Sequence, residues 1–202
     1  ALTLVIIAGS ELFTGHTMFL TLGVKSGTIS HGQMWAILPQ TWLGNLVGSV
    51  FVALLYSWGG GSLLPVDTSI VHSVALAKTT APATVLFFKG ALCNWLVCLA
   101  IWMAIRTEGA AKFLAIWWCL LAFIASGYEH SVANMTLFAL SWFGHHSEAY
   151  TLSGIGHNLL WVTLGNTLSG VVFMGLGYWY ATPKSERPAP AKINQPEATA
   201  NN

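Results

Sequence analysis

The segment Gly127-Tyr128-Glu129-His130-Ser131-Val132-Ala133-Asn134 puts a carboxylate and an imidazole in the middle of an otherwise apolar stretch. Between Phe113 and Phe143, a run of 31 residues, Glu129 is the only charged side chain. A straight helix over that run would be about 46 Å long at 1.5 Å per residue. The hydrocarbon core of a bilayer is only ~30 Å thick and is crossed by ~20 residues. Two half-helices meeting at the Gly-Tyr-Glu-His sequence fit a membrane better than one rod. Ionisable groups are costly in lipid, so at such a break they are expected to face a cavity or a pathway. The reading that follows is transport across a membrane, not catalysis.

Composition narrows the class. Charged residues make up 7 % of the chain and apolar ones 54 %, against roughly 25 % charged in a soluble domain. A solvated surface cannot be built from that inventory, so an all-α membrane protein is expected. The net charge of +1 gives no electrostatic case for nucleic acid as a partner. Cys93, Cys98 and Cys119 form no CxxC pair and read as small buried hydrophobes. No cofactor or metal site is expected.

Apolar stretches at Trp35–Trp58, Val85–Ile105, Phe113–Phe143 and Leu159–Tyr180 follow the opening segment. Tryptophans 35, 58, 102, 142 and 179 sit near their ends, as expected at headgroup level. Residues 1–181 read as the membrane domain, and 182–202, rich in Pro, Ala, Asn and charge, as a disordered tail. Lys25, Arg106, Lys112 and the basic residues of the tail fall on one side. The loops 59–84 and 144–157 hold only Lys78. The first set is placed in the cytoplasm, with the tail. His72, His145, His146 and Glu148 then lie on the opposite side and read as solvated loop residues.

The opening segment carries a similar break. Gly9-Ser10-Glu11 matches Gly127-Tyr128-Glu129 at an offset of 118, and Gly44-Asn45 matches Gly165-Asn166 at an offset of 121. Two matches in the same order at nearly one offset indicate a repeat. Three crossings separate Glu11 from Glu129, an odd number, so the two units are expected to run in opposite directions. Inverted repeats with half-helices at the midplane are a recurring transporter design. Each unit is expected to hold three helices, the second running whole, broken, whole. The first unit is then expected to lack its opening helix within these residues.

His130 at the second break could donate a hydrogen bond to an anion or pass it a proton, or it could satisfy broken-helix carbonyls. Glu129, like Glu11 at the first break, reads as structural, its carboxylate accepting from backbone N–H groups of the opposite break. Thr14 offers a ligand or gate hydroxyl. Leu12 and Phe13 offer apolar constrictions, with plain packing as the alternative. His16 lies five residues after Glu11, the spacing between Glu129 and Asn134, and reads as structural. Lys89 is isolated in an apolar helix and could snorkel to the interface or attract an anion into a vestibule. Asn45, Asn94, Asn134 and Asn166 are mid-membrane amides suited to pinning helices or capping half-helices.

Gly-Ser-Glu-Leu-Phe-Thr (9–14), Gly-Asn-Leu-Val-Gly (44–48), Lys-Gly-x-x-Cys-Asn-Trp-Leu-Val-Cys-Leu-Ala-Ile-Trp-Met (89–103) and Gly-Tyr-Glu-His-Ser-Val-Ala-Asn-Met (127–135) resemble the formate/nitrite transporter family. The resemblance runs from residue 1 to about 180. It implies an aquaporin-like fold, a homopentamer with a pore in each subunit, and inner-membrane transport of a small monovalent anion, with nitrite the expected substrate. It also implies roles. His130 would be the central pore histidine and Thr14 the hydroxyl of a mobile loop. Leu12 and Phe123 would be constrictions, Lys89 a vestibule lysine, and Asn94 and Val97 pore-lining. Two readings compete with this one. A facilitator of water or neutral solutes of the aquaporin type predicts Asn-Pro-Ala at both breaks, and neither break contains it. A haem-bearing redox protein needs facing histidine pairs, which His130 and His157 do not clearly supply.

Overall fold

The computed structural model describes residues 2–61, 70–144 and 146–187, and all regular structure among them is helical. His145 and the tail beyond 187 lie outside the described residues. The helices are α1 (Leu2–Ala8), α2 (Phe13–Lys25), α3 (His31–Trp58), α4 (Ile70–Thr79), α5 (Ala83–Ala104), α6 (Gly109–Ala125), α7 (Ser131–Phe143), α8 (Leu152–Leu168) and α9 (Gly177–Ala181). Residues Ser169–Leu176 form a π-helical segment that joins α8 to α9 in one 30-residue run. That run, α3 and α5 are long and apolar enough to cross a membrane. The pair α1–α2, bent by 47° at its break, makes a fourth candidate span.

The breaks are built alike. Helix α1 stops at Gly9 with φ +74°, and α6 at Gly127 with φ +63°. In that left-handed conformation a side chain would be strained. Ser10 N–H donates to Val5 O at 3.1 Å and Tyr128 N–H to Phe123 O at 3.0 Å, the same six-to-one closure 118 positions apart. The chain then extends through Leu12 (φ −123°, ψ 117°) and His130 (φ −114°, ψ 114°) before α2 and α7 begin.

Polarity is arranged inside out. Trp117 and Trp118 are each 63 % exposed and Val47 68 %, while Asn94, Asn158 and Asn166 are fully buried. Apolar flanks suit lipid or a neighbouring subunit, and the amides find partners inside. Helices α5 and α8 make the most extensive contact, across glycines. A Cβ on Gly90 would come within 2.8 Å of Val162 O, and one on Gly165 would overlap Phe87 O. Small residues thus let these backbones meet, as is usual within membranes. Likewise α2 lies on the π segment, where a Cβ on Gly170 would overlap Thr17 Oγ1. The matching Gly44 of α3, and Gly48 one turn on, have nothing within 4 Å of a Cβ, so the repeat preserves the Gly-Asn pair but not its packing.

The structure corrects two sequence readings here. The stretch 59–84 is not all loop, because it contains α4. His72 on α4 is buried, and its Nδ1 lies 2.8 Å from Ser141 Oγ. Its ring meets Tyr150 edge-on at 5.6 Å. Burial pushes the Tyr150 phenol well above its ordinary pKa, and the hydroxyl donates to Phe138 O at 3.0 Å. His146 and Glu148 are exposed. Helices α3 and α8 also begin earlier than their apolar runs. Polar first turns are capped by Ser30, in a box with Gln33, and by Thr151.

Candidate functional site

A broken helix strands backbone groups, and each one left buried without a partner costs about 1–3 kcal/mol. Two asparagines meet that demand symmetrically. Asn45 of α3 accepts from Phe13 N–H at 2.9 Å and donates to Glu11 O at 2.9 Å. Asn166 of α8 accepts from Ser131 N–H at 2.9 Å and donates to Glu129 O at 3.1 Å and Gly90 O at 2.7 Å. Each amide spans its break, taking the first N–H of the new half-helix and a carbonyl two residues earlier. Asn94 of α5 ties the two breaks together. Its Nδ2 donates to Thr14 O at 3.2 Å, Thr17 Oγ1 at 3.1 Å and Asn166 O at 2.7 Å.

His130 caps α7. Its Nδ1 accepts from Ala133 N–H at 3.1 Å. A nitrogen that accepts carries no proton, so the neutral ring must be protonated at Nε2. That Nε2–H points at Thr14 Oγ1, 3.1 Å away. Thr14 therefore accepts from His130, and none of the described residues takes its hydroxyl hydrogen. A second proton on His130 would set Nδ1–H against Ala133 N–H. Phe123 lies parallel to the ring, with centroids 6.1 Å apart.

Glu129 does not reach the backbone of the opposite break, contrary to the sequence reading. Its carboxylate pairs with Lys78 Nζ at 2.8 Å and accepts from Asn134 Nδ2 at 2.6 Å. Asn134 also donates to Asn158 Oδ1 at 2.9 Å, and Asn158 Nδ2 donates to Lys78 O at 3.0 Å. The ring of contacts closes on itself, which is how a charge is kept far from water. Sequence reasoning missed Lys78 and Asn158. The available signal was that Lys78 is the sole basic residue in its set of loops. At the first break Glu11 pairs with His16, and its side chain is 71 % exposed.

A cavity of about 450 Å³ is lined by Leu12, Val97, Phe123 and His130, with Glu11, Asn45, Gly44 and Gly48. The structure thus brings four of the pathway candidates to one cavity. Thr14 is buried behind His130, and Asn94 is buried behind Thr14. Phe13 packs into a core with Met34 and Leu38 and does not line this cavity. Lys89 is half-buried in the second turn of α5, joins no ion pair among the described residues, and contributes its carbonyl to Glu129 N–H at 3.3 Å. Among the described residues no cluster of three or more His, Cys, Asp or Glu could hold a metal.

A helical membrane protein with two matching glycine breaks between apolar helices, an internal amide lattice and an imidazole donor beside an apolar cavity belongs to the channel and transporter class. Residues 1–180 match the family model described as formate/nitrite transporter. The chain belongs to the formate/nitrite transporter family. It is 98 % identical over 202 residues to the nitrite transporter NirC of Salmonella typhimurium, covering all of this chain and 75 % of that one. It superposes with a TM-score of 0.88 on a solved FNT family ion channel of 98 % identity, over 90 % of this chain and 73 % of that one. A pentameric formate channel with formate bound matches at TM-score 0.73 and 28 % identity, over 88 % and 77 %.

Proposed function

We propose that this chain conducts a small monovalent anion, nitrite first, through a pore in each subunit of a homopentamer. The membrane would be the bacterial inner membrane, with the C-terminal end in the cytoplasm. The observation that carries this is the His130–Thr14 pair. One neutral imidazole N–H and one uncommitted hydroxyl hydrogen sit together next to a cavity walled by Leu12, Val97 and Phe123. A bare charge in an apolar slit is very costly, and the Thr14 hydroxyl hydrogen, its oxygen already held by the His130 N–H, offsets that cost without a fixed counter-ion to trap the anion. Lys89 would supply attraction at the mouth. In the described geometry His130 acts by hydrogen bonding. Proton transfer to the anion would first require the ring to leave Ala133 N–H. Support for nitrite comes from the near-identical relative's name, and support for a pentamer from the formate channel.

The test is flux in proteoliposomes with nitrite, formate, hydrosulfide and nitrate, each with and without a pH gradient, beside a water-permeability control. Nitrite flux well above protein-free vesicles is the expected result. Water conductance without anion flux would refute the reading.

A further inference from the structure

The last membrane-spanning run ends in the aromatic triplet Tyr178-Trp179-Tyr180 of α9, with Tyr180 64 % exposed. Cations from separate parts of the chain gather on it. Lys25, the last residue of α2, donates from Nζ to the Tyr180 hydroxyl at 3.4 Å and lies 5.5 Å from the centre of that ring. Arg187, beyond α9, folds back until its guanidinium is 5.2 Å from the Trp179 ring and 6.0 Å from that of Tyr180. Arg106, just past α5, lies over Trp102 at 3.4 Å, and Trp102 packs on Tyr178 with centroids 4.6 Å apart.

Like charges held close together repel, and a carboxylate among them would relieve the repulsion. The ion pairs among the described residues are His16–Glu11 and Lys78–Glu129, so none of the cations on this collar is matched by one. Resting on ring faces holds a cation without consuming its N–H donors. Arg187 uses Nε on Thr182 O at 3.0 Å and Nη2 on Tyr180 O at 3.3 Å, which leaves most of its fork of donors free. Lys25 donates once, and the Arg106 guanidinium donates to no described residue.

The place of the collar indicates what it meets. Helix α5 and the run Leu152–Ala181, both long enough to cross a membrane, finish here. Tryptophan and tyrosine at such ends sit at headgroup level, the depth of lipid phosphodiesters. A guanidinium presents paired N–H groups that match two phosphate oxygens, and basic residues at a membrane surface attract anionic lipid. Further down the same run, exposed Val172 and Phe173 offer apolar surface to acyl chains, which a small soluble anion would not use. We propose that Lys25, Arg106 and Arg187 form a collar that binds the phosphate groups of anionic phospholipids around the aromatic end of α9.

The experiment is native mass spectrometry of the protein purified in neutral detergent, counting bound phosphatidylglycerol and phosphatidylcholine at matched concentrations. Phosphatidylglycerol should bind at least about tenfold more tightly, with the preference shrinking as ionic strength rises. Lys25→Gln, Arg106→Gln and Arg187→Gln should each weaken it about fivefold, the effect of one basic residue at a membrane surface, and leave phosphatidylcholine unchanged. Lys112→Gln removes a charge from the first turn of α6 that rests on no ring, and should change binding by less than about twofold. Equal binding of the two lipids to wild type overturns the proposal before any variant is made, so a variant that fails to fold does not protect it. Displacement of phosphatidylglycerol by millimolar inorganic phosphate also overturns it, because the collar would then be a site for soluble anions. A Lys112→Gln loss as large as the other three does the same, because net charge alone would then account for the binding.

Discussion

Replacing Lys78 with methionine would leave the Glu129 carboxylate with the Asn134 amide as its one remaining side-chain donor among the described residues. Removing one partner of a buried ion pair costs about 3–5 kcal/mol, because the other charge stays desolvated. The Glu129 side chain is 6 % exposed and that of Lys78 is 19 %, so some water reaches the ammonium end. The expected loss is therefore near the lower bound, about 3 kcal/mol, or about a hundredfold in the unfolding equilibrium. Glu129→Gln should cost less, about 1–2 kcal/mol, because the lysine left behind can turn toward solvent. The double variant removes both charges and should recover most of the Lys78→Met loss, giving a coupling of about 3 kcal/mol. Equilibrium unfolding of all four proteins in mixed detergent micelles reads these values. If Lys78→Met stays within about 0.5 kcal/mol of wild type, or if the two single losses simply add, the pair does not hold α4 to the second break and the argument fails.

Asn166→Ala should destabilise more than Asn45→Ala. It orphans Ser131 N–H and two carbonyls in a buried site, whereas Asn45 serves one N–H and one carbonyl nearer the surface. About 3 kcal/mol against 1–2 is expected from about 1 kcal/mol or more per orphaned group, and melting in detergent would expose the opposite order. Thr14→Val keeps shape but removes the hydroxyl, and should lower nitrite flux at least about tenfold, the worth of one hydrogen bond to a charge, with oligomer size unchanged by light scattering. Thr14→Ser should restore most of the flux. Gly165→Val would drive its side chain into the Phe87 carbonyl, so folded yield by size-exclusion chromatography should collapse, while Gly44→Val, facing open space, should not reduce it.

Both breaks were legible in the sequence because a lone carboxylate just after a glycine in an apolar run cannot be left in lipid; the bend turns Glu129 inward, while Glu11 stays largely exposed beside His16. The offsets of 118 and 121 also located Asn45 and Asn166, since the stranded backbone groups of each break need an amide at a fixed place. Less was legible where partners come from distant turns of the chain. Lys78 is 51 positions from Glu129 and sits on a 10-residue helix too short and too weakly patterned to announce itself. The tautomer of His130 depends on Ala133 N–H, which no side-chain pattern encodes. Phe13 shows the opposite failure: adjacency to Leu12 suggests a shared constriction, but consecutive residues at a helix start point to different neighbours, and Phe13 turns into the core.

The π-helical segment Ser169–Leu176 acts as a phase adjuster in the last span. Before it, Gly165 and Asn166 face α5 and the second break. After it, Tyr178 packs on Trp102 with centroids 4.6 Å apart, and the Tyr180 hydroxyl accepts from Lys25 Nζ at 3.4 Å. Each residue turns a regular helix by about 100°, so a π turn holds one residue more than an α turn and delays everything downstream by that angle. One helix can then stay against α5 along its length and still bring its far end to Lys25 of α2. A single-residue deletion here would leave the apolar character of the span intact and still point its aromatic end the wrong way. The length of this stretch is therefore under tighter constraint than most of its side chains.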